Sequence, residues 1–340
     1  MEVGWLALAL TPGVGPKRFL KAQARHPADP AAAAGALGPE ILAAYRKVRE
    51  AGVAERVLER AEALGVRVLG PGDSNYPEGL SHLADPPVPL FVKGEVPPWE
   101  AAVAIVGTRR ASPWARGFAG ELAAALARAG ATVVSGLARG IDAAAHRGAL
   151  EAGGKTLAVL GSGLDRIYPP EHRELAERMA LVSEFPFGTG PRPEHFPRRN
   201  RLIAALARAV VVVEAPERSG ALITARFALE LGREVLAVPG RPTDVKSRGA
   251  NRLIADGAPP VLGPEELLAY LGLKATPEEK PEPPPHLREL YEALRRVGEA
   301  LPDDLAQSTG KDAGWVLAGL MELELLGLAE ALPGGRYRAR

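Results

Sequence analysis

The sequence predicts an α/β protein with a doubly wound, mostly parallel central sheet, a helical region before it and a separate small domain after it. Three observations carry this. Short runs rich in Val, Ile and Leu recur between residues 102 and 238, with helix-like segments between them. Most of these runs are continuously apolar rather than alternating, as parallel strands buried on both faces require. The stretch Gly272 to Pro285, GLKATPEEKPEPPP, has proline and charge but no apolar periodicity, which is the composition of a stiff exposed linker.

Taken in order, residues 1–68 form a helical region, and a Gly- and Pro-dense passage from Leu69 to Pro98 leads into the centre. Strands are expected at Ala102–Val106, Thr132–Ser135, Thr156–Leu160, Leu181–Ser183, Ala209–Val213 and Glu234–Val238. Helices are expected at Ala115–Ala129, Ala143–Ala152, Glu171–Met179 and Leu222–Leu231. Strand–helix alternation at this spacing is what a doubly wound sheet produces. The domains are then 1–68, 69–272, a proline-rich linker at 273–285 and a tail at 286–340.

The 340 residues contain no cysteine, which excludes disulfides, thiolate metal sites and a cysteine nucleophile. No apolar run approaches the roughly 18 residues needed to span a bilayer. The first residues have neither a basic segment nor a small-residue cleavage site, so a cytoplasmic address without membrane contact is expected. Charge is unevenly placed. Residues 100–272 hold 22 basic and 18 acidic side chains, whereas Lys274 to Arg340 hold 9 basic and 12 acidic. Arginine supplies 33 of the 42 basic residues, which suits forked contacts to phosphate and equally suits a GC-rich or thermophilic genome.

Ligands of such sheets sit beyond the carboxyl ends of the strands. There the first strand ends Gly107-Thr108-Arg109-Arg110, with Ser112-Pro113 opening a helix. The second ends Ser135-Gly136, the third Gly161-Ser162-Gly163, and the fifth is followed by Ser219-Gly220. Glycine permits close backbone approach, and free amides at a helix start suit an anion. Any one such turn is ordinary; four at one edge with arginine beside them suggest a groove.

Between two strands, Phe196-Pro197-Arg198-Arg199-Asn200-Arg201 places three arginines, an amide and a ring within six residues. Guanidinium groups suit phosphate and ring faces suit splayed bases. Tyr168 is a second candidate ring. Asp142 and His146, four apart on one helix near Ser135, invite a catalytic triad, but a helix-capping Asp142 and a structural His146 are the better reading. Gly148 to Lys155 has the wrong spacing and the wrong place for a phosphate-binding loop. No paired metal-binding histidines occur, so no metal, cofactor or catalytic residue is assigned.

These motifs, Gly107-Thr108-Arg109, SGLARGID–AAAH (Ser135–His146), LGSGLDRIYP (Leu160–Pro169), SEFPFGTGP (Ser183–Pro191), FPRRNRLIA (Phe196–Ala204), VVEAPERSGALITA (Val212–Ala225), GREVLAVPG (Gly232–Gly240) and GANRLIADGA (Gly249–Ala258), resemble those of the DNA-processing protein A family, DprA/Smf. The lead-in from Asp73 to Gly94 is similar as well. The resemblance implies a Rossmann-like domain that binds single-stranded DNA without catalysis during natural transformation, dimerises, and helps load the RecA recombinase. It further implies that the glycine and serine turns, Arg109 and the FPRRNR stretch form the DNA pocket, with Arg109 on a phosphate and Phe196 on a base. A lysine is common in the family where this chain has Pro193; Arg192 or His195 is expected to replace it. Thr11 to Lys17 resembles a helix-hairpin-helix or SAM-like element, or is a plain turn. His286 to Arg340 resembles a winged helix with Gly334-Gly335 in its wing. In its expected second helix, Lys311–Leu326, acidic side chains outnumber the one lysine, so it suits a protein contact better than a DNA groove.

Two other functions remain open at this point. The cytokinin-activating phosphoribohydrolases share the broad fold, but their PGGxGTxxE signature is absent where this chain reads Ala215-Pro216-Glu217-Arg218-Ser219-Gly220-Ala221. A nucleotide sensor would use the same pocket and leave FPRRNR unexplained.

Overall fold

The computed structural model describes residues 1–274 and 282–339. They fall into two compact units that divide between 275 and 276. Most of the linker expected at 273–285 lies outside the described residues.

The first unit opens with five helices, α1 (Val3–Ala9), α2 (Pro16–Arg25), α3 (Pro30–Ala36), α4 (Pro39–Glu50) and α5 (Val53–Ala63). Then come strand β1 (Val66–Leu69), the short helix α6 (Glu78–Ser81) and strand β2 (Leu90–Lys93). From there strands and helices alternate: β3 (Ala102–Val106), α7 (Pro113–Arg128), β4 (Thr132–Ser135), α8 (Ile141–Glu151), β5 (Thr156–Val159), α9 (Arg173–Glu177) and β6 (Ala180–Ser183). The unit closes with α10 (His195–Ala205), β7 (Ala209–Val212), α11 (Gly220–Glu230), β8 (Glu234–Ala237), α12 (Arg248–Ala255) and α13 (Pro264–Tyr270).

The eight strands form one sheet in the order β1-β2-β6-β5-β4-β3-β7-β8. From β6 to β8 all neighbours are parallel, while β2 runs antiparallel to both β1 and β6. The six expected strands are therefore present, and two antiparallel ones join them. β1 straddles residue 68, where the sequence placed a domain boundary. Its Val66 and Val68 share a buried cluster with Trp5, Phe19 and Tyr45 of the helices, and with Leu160 and Leu181 of the central sheet.

The continuous apolar runs are explained by burial on two sides. In β3, Ala102, Ala104 and Val106 face Leu202, Ile203, Ala225 and Ala250 of α10, α11 and α12. Val103 and Ile105 face Leu122, Leu126, Ala145 and Leu267 of α7, α8 and α13. The helices α7 and α8 pack closely: a Cβ at Gly148 would stand 2.2 Å from the Gly120 carbonyl oxygen.

The parallel part of the sheet begins at β3, steps one way through β4, β5 and β6, and then returns through α10 to place β7 on the other side of β3. That reversal opens a crevice between the carboxyl ends of β3 and β7.

The second unit holds α14 (Arg288–Val297), β9 (Glu299–Ala300), α15 (Pro302–Thr309), α16 (Ala313–Leu325), β10 (Ala329–Leu332) and β11 (Arg336–Ala339). Its three strands lie in the order β10-β11-β9 around a core that includes Leu290, Leu294, Leu305, Val316 and Leu320. Gly334 and Gly335 turn the wing with φ of 85° and 76°, a region that other residues enter at a cost. On α16, Leu317, Met321 and Leu325 are exposed.

Candidate functional site

Two adjoining cavities of about 690 and 380 Å³ open at the carboxyl edge of the sheet. The larger sits at the reversal point and is walled by the β3 turn, the β7 turn and the start of α10. Arg109, Arg110, Ala138, Tyr168 and Phe196 line both.

The β3 turn is held from behind. Thr108 N–H donates to the Glu214 carbonyl oxygen at 2.7 Å, and Ser112 N–H donates to Glu214 Oε2 at 2.8 Å. Glu214 is buried, so this carboxylate anchors the turn rather than facing a ligand. A Cβ at Gly107 would stand 2.4 Å from Ile141 Cγ1, so only glycine fits there. Gly140 is required twice over, by its φ of 77° and by Thr108 O, which would lie 2.3 Å from a Cβ. Ser112 and Ser219 cap α7 and α11 by accepting from Ala115 N–H and Ala221 N–H.

The turn after β4 carries strain. Leu137 is fully buried with φ of 58°, in the left-handed region that favours glycine. His172 Nδ1 lies 2.9 Å from the Leu137 carbonyl oxygen, and Asp142 accepts from Gly136 N–H (3.2 Å) and Ala138 N–H (3.3 Å). Asp142 thus fastens this turn, and Gly140, not Asp142, is the cap residue of α8. Burial raises the Asp142 carboxyl above the usual carboxylate range, and the Arg199 guanidinium opposes that shift.

The triad reading fails on geometry. Ser135 Oγ donates to the Ile105 carbonyl oxygen at 2.6 Å. Thr156 Oγ1 donates to Val133 O, so the His146 ring, 2.6 Å from that hydroxyl, must donate through Nδ1. Burial holds the His146 pKa down at about 3 and keeps the ring neutral. His146 is a structural donor.

The α10 motif divides its side chains between different surroundings. Phe196 faces the cleft with the Arg109 Cζ 4.6 Å from its ring centroid and Tyr168 tilted beside it at 6.0 Å. Arg199 has its guanidinium buried: Nη1 donates to Gly136 O at 2.6 Å and also to Val159 O, and Nε donates to Asn200 Oδ1 at 3.1 Å. Burial lowers its pKa to about 10, partly offset by Asp142, so it stays charged at neutral pH. Arg199 ties α10 to the ends of β4 and β5, and its role is that of a strut rather than a free phosphate donor. Asn200 Nδ2 donates to Gly220 O, joining α10 to α11.

Gly107, Thr108, Arg109, Arg110, Arg192, Phe196, Arg199, Asn200, Ser219 and Gly220 all border the larger cavity, and Gly136, Gly161 and Ser162 border the smaller. Four residues expected in the site border neither: Ser135, Gly163, Arg198 and Arg201. Ser135 is spent on Ile105, and Gly163 is pressed against Pro186 O, which would lie 2.6 Å from a Cβ. Arg198 and Arg201 both turn to the buried Glu184, at 2.8 and 2.5 Å. Of the two candidates to replace the family lysine, Arg192 is exposed on the cleft, whereas His195 stacks on Phe185 at 4.2 Å.

The cleft also contains Arg218 and Thr224, and the smaller cavity Arg139, which sequence reasoning did not select. Arg218 stands in the APERSG turn, so its place beside Ser219 was the available signal. Among the described residues no group of three or more His, Asp or Glu side chains could hold a metal ion, and no helix is long and apolar enough to cross a membrane. The cleft therefore offers exposed guanidinium groups, ring faces and backbone amides, a set matched to phosphates and unpaired bases.

Residues 67–272 match the family model described as DNA recombination-mediator protein A, and residues 274–335 match the DprA winged helix domain. Protein Smf of Synechocystis sp. is 36% identical over 99% of this chain and 98% of its own. The DNA processing protein DprA of Streptococcus pneumoniae is 43% identical over 58% of this chain and 71% of its own. The crystal structure of DNA processing protein A from Streptococcus pneumoniae superposes with a TM-score of 0.70 at 33% identity, covering 81% of this chain and 99% of that one. DNA processing protein A from Helicobacter pylori, studied for its single-stranded DNA binding mode, gives a TM-score of 0.54 at 31% identity, covering 61% and 95%.

Proposed function

The chain belongs to the DNA processing protein A family, DprA/Smf, and from that premise we propose that its strand-end cleft holds single-stranded DNA as a recombination mediator, by binding and not by catalysis. The observation that carries this reading is the pairing of Arg109 with Phe196 at an open cleft. A cation for a phosphate and a ring for a base lie 4.6 Å apart, on a turn and a helix held rigid from behind. Buried Asp142 and Glu214 are committed to backbone amides, so neither is a free general base. The family supports the further proposals that the protein works in the cytoplasm, as a homodimer, and delivers the strand to the RecA recombinase.

A duplex hides its base faces, so the cleft should prefer the unpaired strand. The test is equilibrium binding of a strand, its blunt duplex and adenosine monophosphate at matched salt. Single-strand binding well above both others is expected. Equal affinity for strand and duplex rejects the reading, and tight binding of the mononucleotide alone favours a nucleotide-handling protein.

The winged unit should be dispensable for that binding. From His286 onward it carries 7 basic and 9 acidic residues, and α16 presents Leu317, Met321 and Leu325 rather than cations. Removing residues 275–340 should leave single-strand affinity within about a few-fold, because few counterion-releasing contacts are lost. A loss of roughly a hundredfold in a folded truncation would place a phosphate-binding surface in the tail.

A further inference from the structure

Beyond β7 the sheet continues to β8, whose following turn, residues 238–247, leads into α12. Arg241 and Lys246 of this turn and Arg248 at the start of α12 are exposed, and none makes an ion pair among the described residues. Asp244 is the one carboxylate between residues 238 and 248, against these three cations. Asp244 accepts from Lys246 N–H at 2.9 Å, Asp256 pairs with Arg252 at 3.1 Å, and Glu217 is exposed in the β7 turn. The segment therefore presents net positive charge.

This turn is a built element. Gly240 and Asn251 exchange two hydrogen bonds, from Gly240 N–H to Asn251 Oδ1 (3.0 Å) and from Asn251 Nδ2 to Gly240 O (2.9 Å). Ser247 is buried against Gly240, where a Cβ would stand 2.1 Å from Ser247 Oγ. Ser247 N–H donates to Asp244 O, and Asp244 N–H donates to Arg241 O, both at 3.0 Å.

It is also fastened to the cleft wall. Gly249 N–H donates to Ala215 O at 2.8 Å, and a Cβ there would stand 2.7 Å from both Ala215 O and Pro216 O. Pro216 borders the larger cavity together with Arg218 and Ser219. Arg248 is thus one residue from a glycine that touches the wall. Along the sheet, β8 lies two strand spacings from β3, roughly 10 Å.

We propose that Arg241, Lys246 and Arg248 form a second phosphate-binding segment, along which a single strand held in the cleft continues past Arg218. This rests on the cleft reading given above and extends it to a longer strand. The segment has no ring among its exposed residues, so it should grip the backbone and be indifferent to base identity.

The test uses the full chain with Arg241→Ala, Lys246→Ala and Arg248→Ala combined, and oligothymidylates of about 6 and about 15 nucleotides, within single-strand site sizes. The short strand reports the cleft, and the difference between the two lengths reports the segment. The variant should keep wild-type affinity for the short strand. For the long strand it should lose up to roughly a hundredfold at about 0.1 M salt, with the salt slope lower by about 2, since each single-strand phosphate releases about 0.7 counterions. Light scattering should give the same mass for variant and wild type, so that a lost second copy is not mistaken for a lost contact. A companion variant with Arg241→Lys and Arg248→Lys should restore the slope.

An unchanged long-strand slope in the alanine variant overturns the proposal, as does a lysine variant that fails to restore it. Either result leaves the cleft reading standing if Arg109→Ala still weakens the short strand. If Arg109→Ala leaves short-strand binding intact, the cleft reading fails on its own arm.

Discussion

Arg201→Ala should destabilise the first unit by about 3–5 kcal/mol, the cost of breaking a buried ion pair by removing one partner. The Arg201 side chain is 6% exposed and that of Glu184 is 1% exposed. Nη2 of Arg201 reaches Glu184 Oε2 at 2.5 Å, and Nη1 donates to Asp85 O at 2.8 Å. These bonds join α10, the turn after β6 and the loop before β2, three segments far apart in sequence. The pair is already short of partners: Glu184 Oε1 and Arg201 Nε are buried with none among the described residues. With the guanidinium gone, Glu184 keeps only the half-exposed Arg198 at 2.8 Å. For a unit of this size the melting temperature should fall by about 10 °C.

The decisive contrast is with DNA. At a temperature where Arg201→Ala is folded, its single-strand affinity and salt slope should match wild type, because Arg201 borders neither cavity. A variant that melts like wild type yet loses salt slope would return Arg201 to the phosphate contacts. Adding Glu184→Leu to Arg201→Ala should recover part of the stability, since an uncompensated buried carboxylate causes most of the loss.

Arg201 also shows why the site was only partly legible in the sequence. The FPRRNR stretch was recognisable as a motif, but the bounds and phase of the helix containing it, α10, were not assigned from the sequence. Without the helical phase, its three arginines looked equivalent. On a helix, neighbours three apart share a face. Phe196 and Arg199 accordingly share the cleft side, Arg199 turned inward beneath the ring, while Arg198 and Arg201 share the side that meets Glu184. The strand-end turns were easier to read because the location of ligand sites in such sheets follows from topology, so the β3, β4, β5 and β7 turns fell where expected. Position did not reveal direction there either, and Ser135 and Gly163 point into packing rather than into the cavities.

The strands β3 to β8 were visible because burial on both faces leaves continuous apolar runs. The other two strands were hidden for the converse reason. VRVL at Val66–Leu69 is interrupted by an exposed Arg67, and LFVK at Leu90–Lys93 sits in a passage dominated by Gly and Pro. Their pairing is antiparallel and long-range, which no local pattern encodes.

The second large effect separates charge from stacking inside the cleft. Arg109→Ala removes an exposed guanidinium from the turn after β3 and should cost about 1.5–3 kcal/mol of single-strand binding, roughly ten- to a hundredfold in affinity. It should also flatten the salt slope by about 0.7, the counterions released by one single-strand phosphate. Phe196→Ala should cost about 1–3 kcal/mol through lost stacking and leave the slope nearly unchanged. The two residues touch, with Arg109 Cζ 4.6 Å from the ring centroid, so their effects should not add. In the free protein Arg109 covers the face that a base would use, and a base must either displace it or share the ring with it. If the base displaces it, each single variant is also relieved of that competition, and the double variant should lose more than the two single losses combined. The other possible role of Phe196 is packing, since the ring backs onto Gly161, where a Cβ would stand 3.1 Å away. Melting curves resolve this: a stacking ring leaves stability nearly intact, whereas a packing ring takes stability and binding down together. If Arg109→Ala keeps both wild-type affinity and wild-type salt slope, the crevice between β3 and β7 does not hold the strand.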